Sequence, residues 1–181
     1  MRKLRMSELN RMDVESFRES DKIPLIVVLD RVRSLHNVGA IFRTGDAFRI
    51  EEIHLCGITE QANHPEIDKT ALGATESVPW SSFSTTLESV EALKARNYAV
   101  YAVEQTTERE WLDEFEIPSD CDGMAIIMGH EVSGVDEDVL EAVDGCIEIP
   151  QLGTKHSLNV SISASIVMWE IFKRLRSRLR K

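Results

Sequence analysis

Continuous apolar runs that alternate with helical segments constrain the fold of this chain more than any other feature. Buried strands are predicted at 24–30 (PLIVVLD), 98–104 (YAVYAVE) and 124–129 (MAIIMG), with a further strand at 52–58 and a short one at 146–150. Helices are predicted between the strands, at 37–48, 66–71, 85–97 and 136–143. This alternation is typical of an α/β fold with a mostly parallel sheet flanked by helices.

The N-terminal region is predicted to be a short helical extension. Residues 7–19 have the pattern of an amphipathic helix capped by Ser7, inside an extension that covers residues 1–22. No internal repeat, low-complexity segment or Pro/Gly-rich linker interrupts the chain. We therefore predict a single domain over residues 1–181.

The C-terminal region is predicted to be one long helix that starts at Ser157. Residues 158–172 are apolar or small on nearly every side, so this half should be buried on most sides. Residues 173–181 form a basic helical tail with six basic residues and no acidic one, although the net charge of the chain is −10. The tail is compatible with RNA binding and equally with a solvated helix end, since basic residues favour helix C-termini.

Several classes of protein are disfavoured by composition. No apolar run approaches the roughly 20 residues that cross a membrane, and the N-terminus lacks the apolar stretch of a secretory signal. Cys56, Cys121 and Cys146 are far apart and form no C-x-x-C pair, which favours a reducing compartment over a disulfide framework or a zinc site. We expect a cytoplasmic protein with neither a membrane segment nor a metal. The glycine-rich fingerprints of dinucleotide and P-loop binding are also missing.

The first segment that suggests chemistry is the helix at 37–48. Its core face is expected to consist of four apolar side chains: Val38, Ile41, Phe42 and Phe48. Arg43 points nearly the opposite way, and Gly39 one turn earlier should leave the turn beneath it bare. An arginine in this position could grip a phosphate or a carboxylate, or could simply pair with Asp46 on the surface. Asn37 by itself is a good helix cap.

Two further segments follow strands at the expected ligand-binding edge of the sheet. Gly129, Glu131 and Gly134 form a G-x-E-x-x-G loop, which suits either a ligand cradle or an ordinary glycine-rich turn. Ser157 is expected to be the N-cap of the last helix. Asn159 beside it would offer a donor–acceptor amide to the occupant of the preceding loop.

The order and spacing of these segments closely resemble the three signature motifs of the SpoU (TrmH-like) RNA 2′-O-methyltransferases, a branch of the SPOUT superfamily. The matching residues are Asn37, Gly39 and Arg43, then Gly129, Glu131 and Gly134, then Ile149, Pro150 and Ser157–Val160. Two positions depart from the family pattern. His130 stands where many relatives carry Asn, and Gln151 stands where an apolar residue is usual.

The resemblance implies a fold, a cofactor and a substrate class. The fold would be a SPOUT-type α/β domain with a deep C-terminal trefoil knot, in a homodimer whose interface includes the last helix. The cofactor would be S-adenosylmethionine, bound among the loops after strands 98–104, 124–129 and 146–150. The reaction would methylate a ribose 2′-hydroxyl of RNA, with tRNA favoured over rRNA because only about 22 residues precede the first strand.

The resemblance also implies roles for individual residues. The cofactor-binding residues would be Val103, Glu104, Gly129, Ile149, Ser157 and Leu158. The catalytic residues would be Asn37, Arg43, Glu131, Ser157 and Asn159, with Arg43 supplied by the partner subunit. Because guanidinium stays protonated in proteins, we interpret Arg43 as a clamp on the adjacent phosphate that stabilises the developing alkoxide.

Three other functions are compatible with parts of the sequence. A SPOUT-fold RNA-binding protein without catalysis is disfavoured by the intact set of motif residues. A methyltransferase acting on a base nitrogen is disfavoured by the Ser-Leu-Asn element at 157–159. A small-molecule enzyme on a plain α/β scaffold has only the acidic middle of the chain in its favour.

Overall fold

A seven-stranded sheet forms the centre of the computed structural model, which describes residues 1–9 and 11–179. Its strands are β1 (Ile23–Asp30), β2 (Ile50–Cys56), β3 (Trp80–Phe83), β4 (Tyr98–Val103), β5 (Glu110–Trp111), β6 (Gly123–Met128) and β7 (Gly145–Glu148). The order across the sheet is β3-β2-β1-β6-β4-β7-β5, and all of these neighbours pair in parallel. The predicted α/β fold with a mostly parallel sheet is confirmed.

Helices cover both faces of the sheet. They are α1 (Val14–Glu19), α2 (Leu35–Phe48), α3 (Pro65–Ala71), α4 (Ala74–Ser77), α5 (Thr86–Ala95), α6 (Glu137–Ala142) and α7 (Val160–Leu175). One core lies between the sheet and α1–α4 with α7, and a smaller core lies between the sheet and α5 with α6. Apolar side chains on both faces explain why the central strands are continuous apolar runs.

Two edge strands escaped the sequence-based prediction. β3 and β5 lie at opposite edges of the sheet, and their residues are only half-buried or exposed. β5 is two residues long, Glu110 and Trp111, and has no apolar run. Strands that are not buried on two faces do not need an apolar sequence, so the hydrophobic pattern could not reveal them.

The N-terminal extension differs from the prediction of one helix over 7–19 capped by Ser7. A 3₁₀ turn covers Met6–Glu8, and α1 is a separate short helix. Its N-cap is Asp13, whose carboxylate accepts a hydrogen bond from the Ser16 amide at 2.8 Å. In the helix that begins after Asp13, Phe17 is the buried residue and packs into the core.

The start of α2 also differs from the prediction, which placed Asn37 at the cap. The N-cap is Ser34, whose hydroxyl accepts a hydrogen bond from the Asn37 amide at 3.4 Å. Asn37 therefore lies inside the first turn, and its side chain is available for contacts outside the helix. The predicted core face of α2 is confirmed, with Val38, Ile41 and Phe42 fully buried and Phe48 half-buried.

The last helix starts later and ends earlier than predicted. Its N-cap is Asn159 and not Ser157, because the Asn159 side chain accepts hydrogen bonds from the Ser161 and Ile162 amides. The helix ends at Leu175, and a 3₁₀ turn covers Arg176–Arg178. Arg180 and Lys181, the end of the predicted basic tail, lie outside the described residues.

The environment of α7 is less buried than its composition suggested. Ile162, Ile166 and Trp169 are 52%, 37% and 47% exposed, and they recur at the spacing of one helix face. Trp169 stacks on Phe172 and lies against Phe48, so it extends an aromatic cluster onto the surface. The outer face of α7 is therefore an apolar surface of the single chain.

Within residues 1–9 and 11–179, no helix is both long enough and apolar enough to cross a membrane.

Candidate active site

A pocket of about 400 Å³ opens at the carboxyl ends of β4, β6 and β7. In open α/β sheets this edge is where ligands bind. The pocket is lined by Val103–Gln105, Met128–Val132, Gly134, Ile147–Ile149, Gln151, Ser157–Val160 and Ser163. Three loops that are far apart in the sequence therefore form one cavity.

The loop after β6 is closed on itself and depends on its two glycines. The backbone groups of His130 and Gly134 exchange hydrogen bonds of 3.0 and 2.9 Å. A Cβ on Gly129 would lie well inside 3.0 Å of the backbone of Gly134 and Val135. Gly134 has a φ of 71°, and a Cβ there would meet the Glu104 carboxylate. Glycine is therefore required at position 129 by the close approach of two backbone segments, and at position 134 by the left-handed backbone conformation and the nearby carboxylate.

His130 supports the same loop with its side chain. Its Nδ1 accepts hydrogen bonds from the amides of Val132 at 3.1 Å and Ser133 at 3.3 Å. Nδ1 must therefore be the unprotonated ring nitrogen. The amide oxygen of an asparagine could accept the same two bonds, which explains how histidine can replace the Asn of many relatives.

A hydrogen-bond network joins the three motifs. The Glu131 carboxylate accepts the amides of Arg33 at 3.1 Å and Ser34 at 2.9 Å, and also the Asn37 side-chain amide at 3.1 Å. The Asn37 oxygen in turn accepts the Asn159 side-chain amide at 3.1 Å. Glu131 thus fixes the start of α2, and Asn37 fixes the start of α7. The second and third motifs are therefore connected through the first, at Asn37.

The electrostatics of Glu131 favour its ionised form. Partial burial raises the pKa of the Glu131 carboxyl, but the hydrogen bonds from the Arg33 and Ser34 amides and from Asn37 outweigh burial. The net effect holds the pKa of Glu131 below its ordinary value. A lowered folded-state pKa means that the network contributes fully above the unfolded-state value and is lost as pH falls through the folded-state value.

Arg43 lies apart from the pocket of its own chain. Its side chain is exposed on α2, and it is not among the described residues that line the cavity. The alternative partner Asp46 is engaged elsewhere, because its carboxylate accepts the Ser77 hydroxyl at 2.6 Å. Within the part of the chain that the structure describes, the Arg43 guanidinium is therefore available to a ligand or a second chain.

The prediction that the helix turn beneath Arg43 is uncovered is wrong. Gly39 is buried, and a Cβ there would lie well inside 3.0 Å of the Thr70 side chain and the Ile67 carbonyl. The glycine allows α3 to approach α2 closely, so its role is helix packing. The sequence pattern could not distinguish a bare helix turn from one covered by another helix.

The predicted site residues fall into three groups by position. Those that line the pocket are Val103, Glu104, Gly129, Glu131, Ile149, Ser157, Leu158 and Asn159. Asn37 reaches two of them through hydrogen bonds, and Arg43 lies outside. The polar Gln151, one of the two departures from the family pattern, also lines the pocket.

Sequence reasoning missed several residues that line the pocket, among them Gln105. Its side-chain amide donates to the His156 carbonyl at 2.9 Å and so ties the loop before α7 to the end of β4. The preceding Glu104 accepts the amides of Gln105 at 2.8 Å and Val135 at 3.1 Å. The only sequence signal was position, since both residues follow a buried strand at the ligand-binding edge. The described residues contain no group of three or more His, Cys, Asp or Glu side chains arranged to hold a metal ion.

Fold and pocket define an α/β protein with a cavity at the carboxyl edge of a parallel sheet. Residues 24–169 match the SpoU rRNA Methylase family. A tRNA (guanosine(18)-2′-O)-methyltransferase from Thermus thermophilus is 32% identical over 164 residues, which cover 91% of this chain and 82% of that protein. The chain therefore belongs to the SpoU methylase family.

Solved structures agree with this assignment. The TrmH/SpoU tRNA modifying enzyme of A. aeolicus superposes with a TM-score of 0.78 at 24% identity, over 91% of this chain and 82% of that one. The AdoMet-bound rRNA methyltransferase of Sinorhizobium meliloti superposes with a TM-score of 0.77 at 25% identity, over 87% of this chain and 58% of that one. The first comparison supports the fold alone, and the second adds a relative with the cofactor bound.

Proposed function

We propose that this protein is an S-adenosylmethionine-dependent methyltransferase that modifies a ribose 2′-hydroxyl in RNA. The observation that carries the proposal is the single pocket formed by loops from the second and third motifs and fastened to the first by Asn37. tRNA is favoured over rRNA as the substrate. The support is the Thermus relative named for tRNA, of which this chain covers 82%.

The residues present fit S-adenosylmethionine. The cavity volume of about 400 Å³ lies within the usual range for cofactor sites. The missing Cβ at Gly129 lets the backbone of Gly134 and Val135 close in, and the loop shaped in this way lines the cavity. The residues proposed to hold it are Val103, Glu104, Gly129, Ile149, Ser157 and Leu158. When bound, the cofactor supplies an electrophilic methyl group.

The protein's own part in the reaction is mainly alignment and charge. In our proposal Ser157 and Asn159 orient the reacting ribose at the pocket mouth, where both side chains are exposed. Arg43 of a second copy clamps the adjacent phosphate and stabilises negative charge on the 2′-oxygen. Glu131 and Asn37 hold the loop after β6 and the start of α7 against the start of α2. Arg43 remains protonated, so the proton of the hydroxyl leaves through the phosphate or solvent.

A homodimer is part of this proposal because Arg43 does not line its own pocket. The outer face of α7, with Ile162, Ile166 and Trp169, supplies the kind of exposed apolar patch that marks an interface. We also propose the deep C-terminal knot of the family. Its support is that α7 returns to pack against α2 and β1 after β7. The RNA substrate class supports a cytoplasmic location, and RNA binding by the basic tail stays a prediction.

Replacing Trp169 by glutamate is expected to convert the dimer to a monomer and to abolish methyl transfer. The substitution places a charge in the middle of the apolar face, where it would be desolvated by the partner. Sedimentation velocity measures the first effect and a methylation assay the second. Ile58→Glu is the matched control, because Ile58 is 63% exposed and lies in the loop between β2 and α3, outside α7. A Trp169→Glu protein that remains dimeric would exclude α7 as the interface.

His130 provides a second test of the pocket. His130→Asn is expected to keep cofactor affinity within about threefold, whereas His130→Ala should weaken it about tenfold by removing the acceptor for two loop amides. Calorimetry with S-adenosylmethionine measures both. Equal affinity for the alanine variant and the native protein would mean that the His130 side chain does not support the pocket.

The function itself is tested by binding and turnover together. Calorimetry should detect S-adenosylmethionine, and labelled methyl groups should then appear in tRNA incubated with the protein. Cofactor binding without transfer to tRNA or rRNA would contradict the proposal and favour a non-catalytic RNA-binding protein.

A further inference from the structure

Asp30 is a buried carboxylate that the proposed reaction does not use. It is the last residue of β1 and directly follows the apolar residues of that strand, which end at Leu29. Its side chain is charged, yet the residue is only 1% exposed. A buried charge is strongly unfavourable unless hydrogen bonds and opposite charges compensate it. Its partners therefore indicate what it holds in place.

The partners of Asp30 come from three separate segments. Its Oδ1 accepts the Thr86 hydroxyl at 2.6 Å and lies 3.4 Å from the Arg31 Nε. Its Oδ2 accepts the backbone amide of Asp136 at 3.3 Å. The carboxylate thus connects the end of β1 with the first residue of α5 and with the residue that precedes α6.

Arg31 completes the cluster from the other side. Its guanidinium also pairs with the Asp136 carboxylate, so both the backbone and the side chain of Asp136 are held. Arg31 has a φ of 55°, a left-handed conformation that is unfavourable for a residue with a side chain. Such a conformation persists only where its surroundings enforce it.

Asp136 connects this cluster of side chains to the pocket. Asp136 ends the loop that begins at Gly129, and this loop forms one wall of the pocket. Two other carboxylates hold the same loop, since Glu131 binds the start of α2 and Glu104 binds the Val135 amide. Asp30 and Arg31 hold the far end, on the side of the sheet covered by α5 and α6.

We propose that Asp30 and Arg31 are positioning residues for the cofactor pocket, which they support by fixing the end of the 129–136 loop. The inference rests on the proposed function, because it assumes that this pocket binds S-adenosylmethionine. Neither residue lines the pocket, so their effect is transmitted through the backbone at Asp136. A loop with its far end released would sample other conformations and would bind the cofactor more weakly.

Asp30→Asn tests the proposal with little change in shape. Whichever way the new amide points, its NH₂ group faces either the Asp136 amide or the Arg31 Nε, so two donors oppose each other. We expect the KM for S-adenosylmethionine to rise about tenfold, while kcat and the KM for RNA stay within about twofold. Hydrogen exchange without ligand should accelerate at the amides of residues 134–136.

Asp46→Asn is the matched control. Asp46 accepts a serine hydroxyl at 2.6 Å, as Asp30 accepts a threonine hydroxyl at 2.6 Å, and its partner Ser77 belongs to α4. This variant should weaken a similar hydrogen bond, because a neutral amide oxygen replaces a carboxylate oxygen as the acceptor, and should leave the KM for the cofactor unchanged. A rise in KM with both variants would mean a general loss of stability and would overturn the proposal.

A second variant covers the case in which Asp30→Asn fails to fold. Arg31→Lys keeps the charge of a half-buried residue but loses the fork that spans Asp30 and Asp136. It should raise the KM for the cofactor about threefold. If the native protein binds S-adenosylmethionine and both variants bind it equally well, this inference fails alone. If the native protein does not bind it, the proposed function fails and this inference with it.

Discussion

Replacing Gly129 by alanine is expected to lower the affinity for S-adenosylmethionine by a factor of about 100 or more. A Cβ at this position would collide with the backbone of Gly134 and Val135, and backbone atoms cannot rotate away as a flexible side chain can. The 129–134 loop would have to open, which would remove one wall of the pocket. Calorimetry measures the affinity, and circular dichroism shows whether the fold persists.

Gly153→Ala is the control for this substitution. No atom lies within 4 Å of the position that its Cβ would occupy, and its φ is outside the left-handed region. We expect unchanged cofactor affinity, because the added methyl group meets only solvent. Native affinity in the folded Gly129→Ala protein would show that the closed loop is not part of the cofactor site.

Replacing Arg43 by lysine is expected to lower kcat about 100-fold and to leave cofactor affinity unchanged. Lysine keeps the positive charge but cannot offer two parallel donors to a phosphate. Cofactor affinity should hold because Arg43 is not among the described residues that line the pocket. Steady-state kinetics with saturating cofactor separate the two effects. Full turnover by the lysine variant would exclude the clamp.

Mixed dimers test whether Arg43 acts across the interface. Arg43→Ala and Gly129→Ala proteins are each expected to be inactive. Subunit exchange between them should create dimers with one intact site, formed by the pocket of one chain and Arg43 of the other, and random pairing should restore about a quarter of native activity. A mixture that stays inactive would mean that Arg43 serves the pocket of its own chain.

The central strands were predictable because strands that are buried on both faces need an apolar sequence. β1, β4 and β6 are buried on both faces, so their apolar runs have no other explanation. The helix caps were harder, because Ser34 and Asn37, or Ser157 and Asn159, are similar in capping preference. The choice depends on tertiary contacts: Asn37 binds Glu131, and Asn159 both binds Asn37 and caps α7.

The site was predictable as a set of residues but not as an arrangement. The order of the three motifs identified the residues of the pocket, while the network through Glu131 required the chain to bring position 37 to position 159. Gly39 shows the opposite case. The sequence identified it as a motif residue, but its packing against α3 depends on a helix that is distant in the chain.

The proposed role of this pocket is to direct a methyl group to a ribose 2′-oxygen. The most direct measurement is mass-spectrometric nucleoside mapping of tRNA and rRNA from a deletion strain, and of tRNA methylated by the purified protein. We predict that one 2′-O-methylated nucleotide is missing from the RNA of the strain and is restored by the protein. The phosphodiester bond on the 3′ side of this nucleotide should resist alkaline cleavage. A methyl group found on a base nitrogen, or no change in either RNA, would contradict this account.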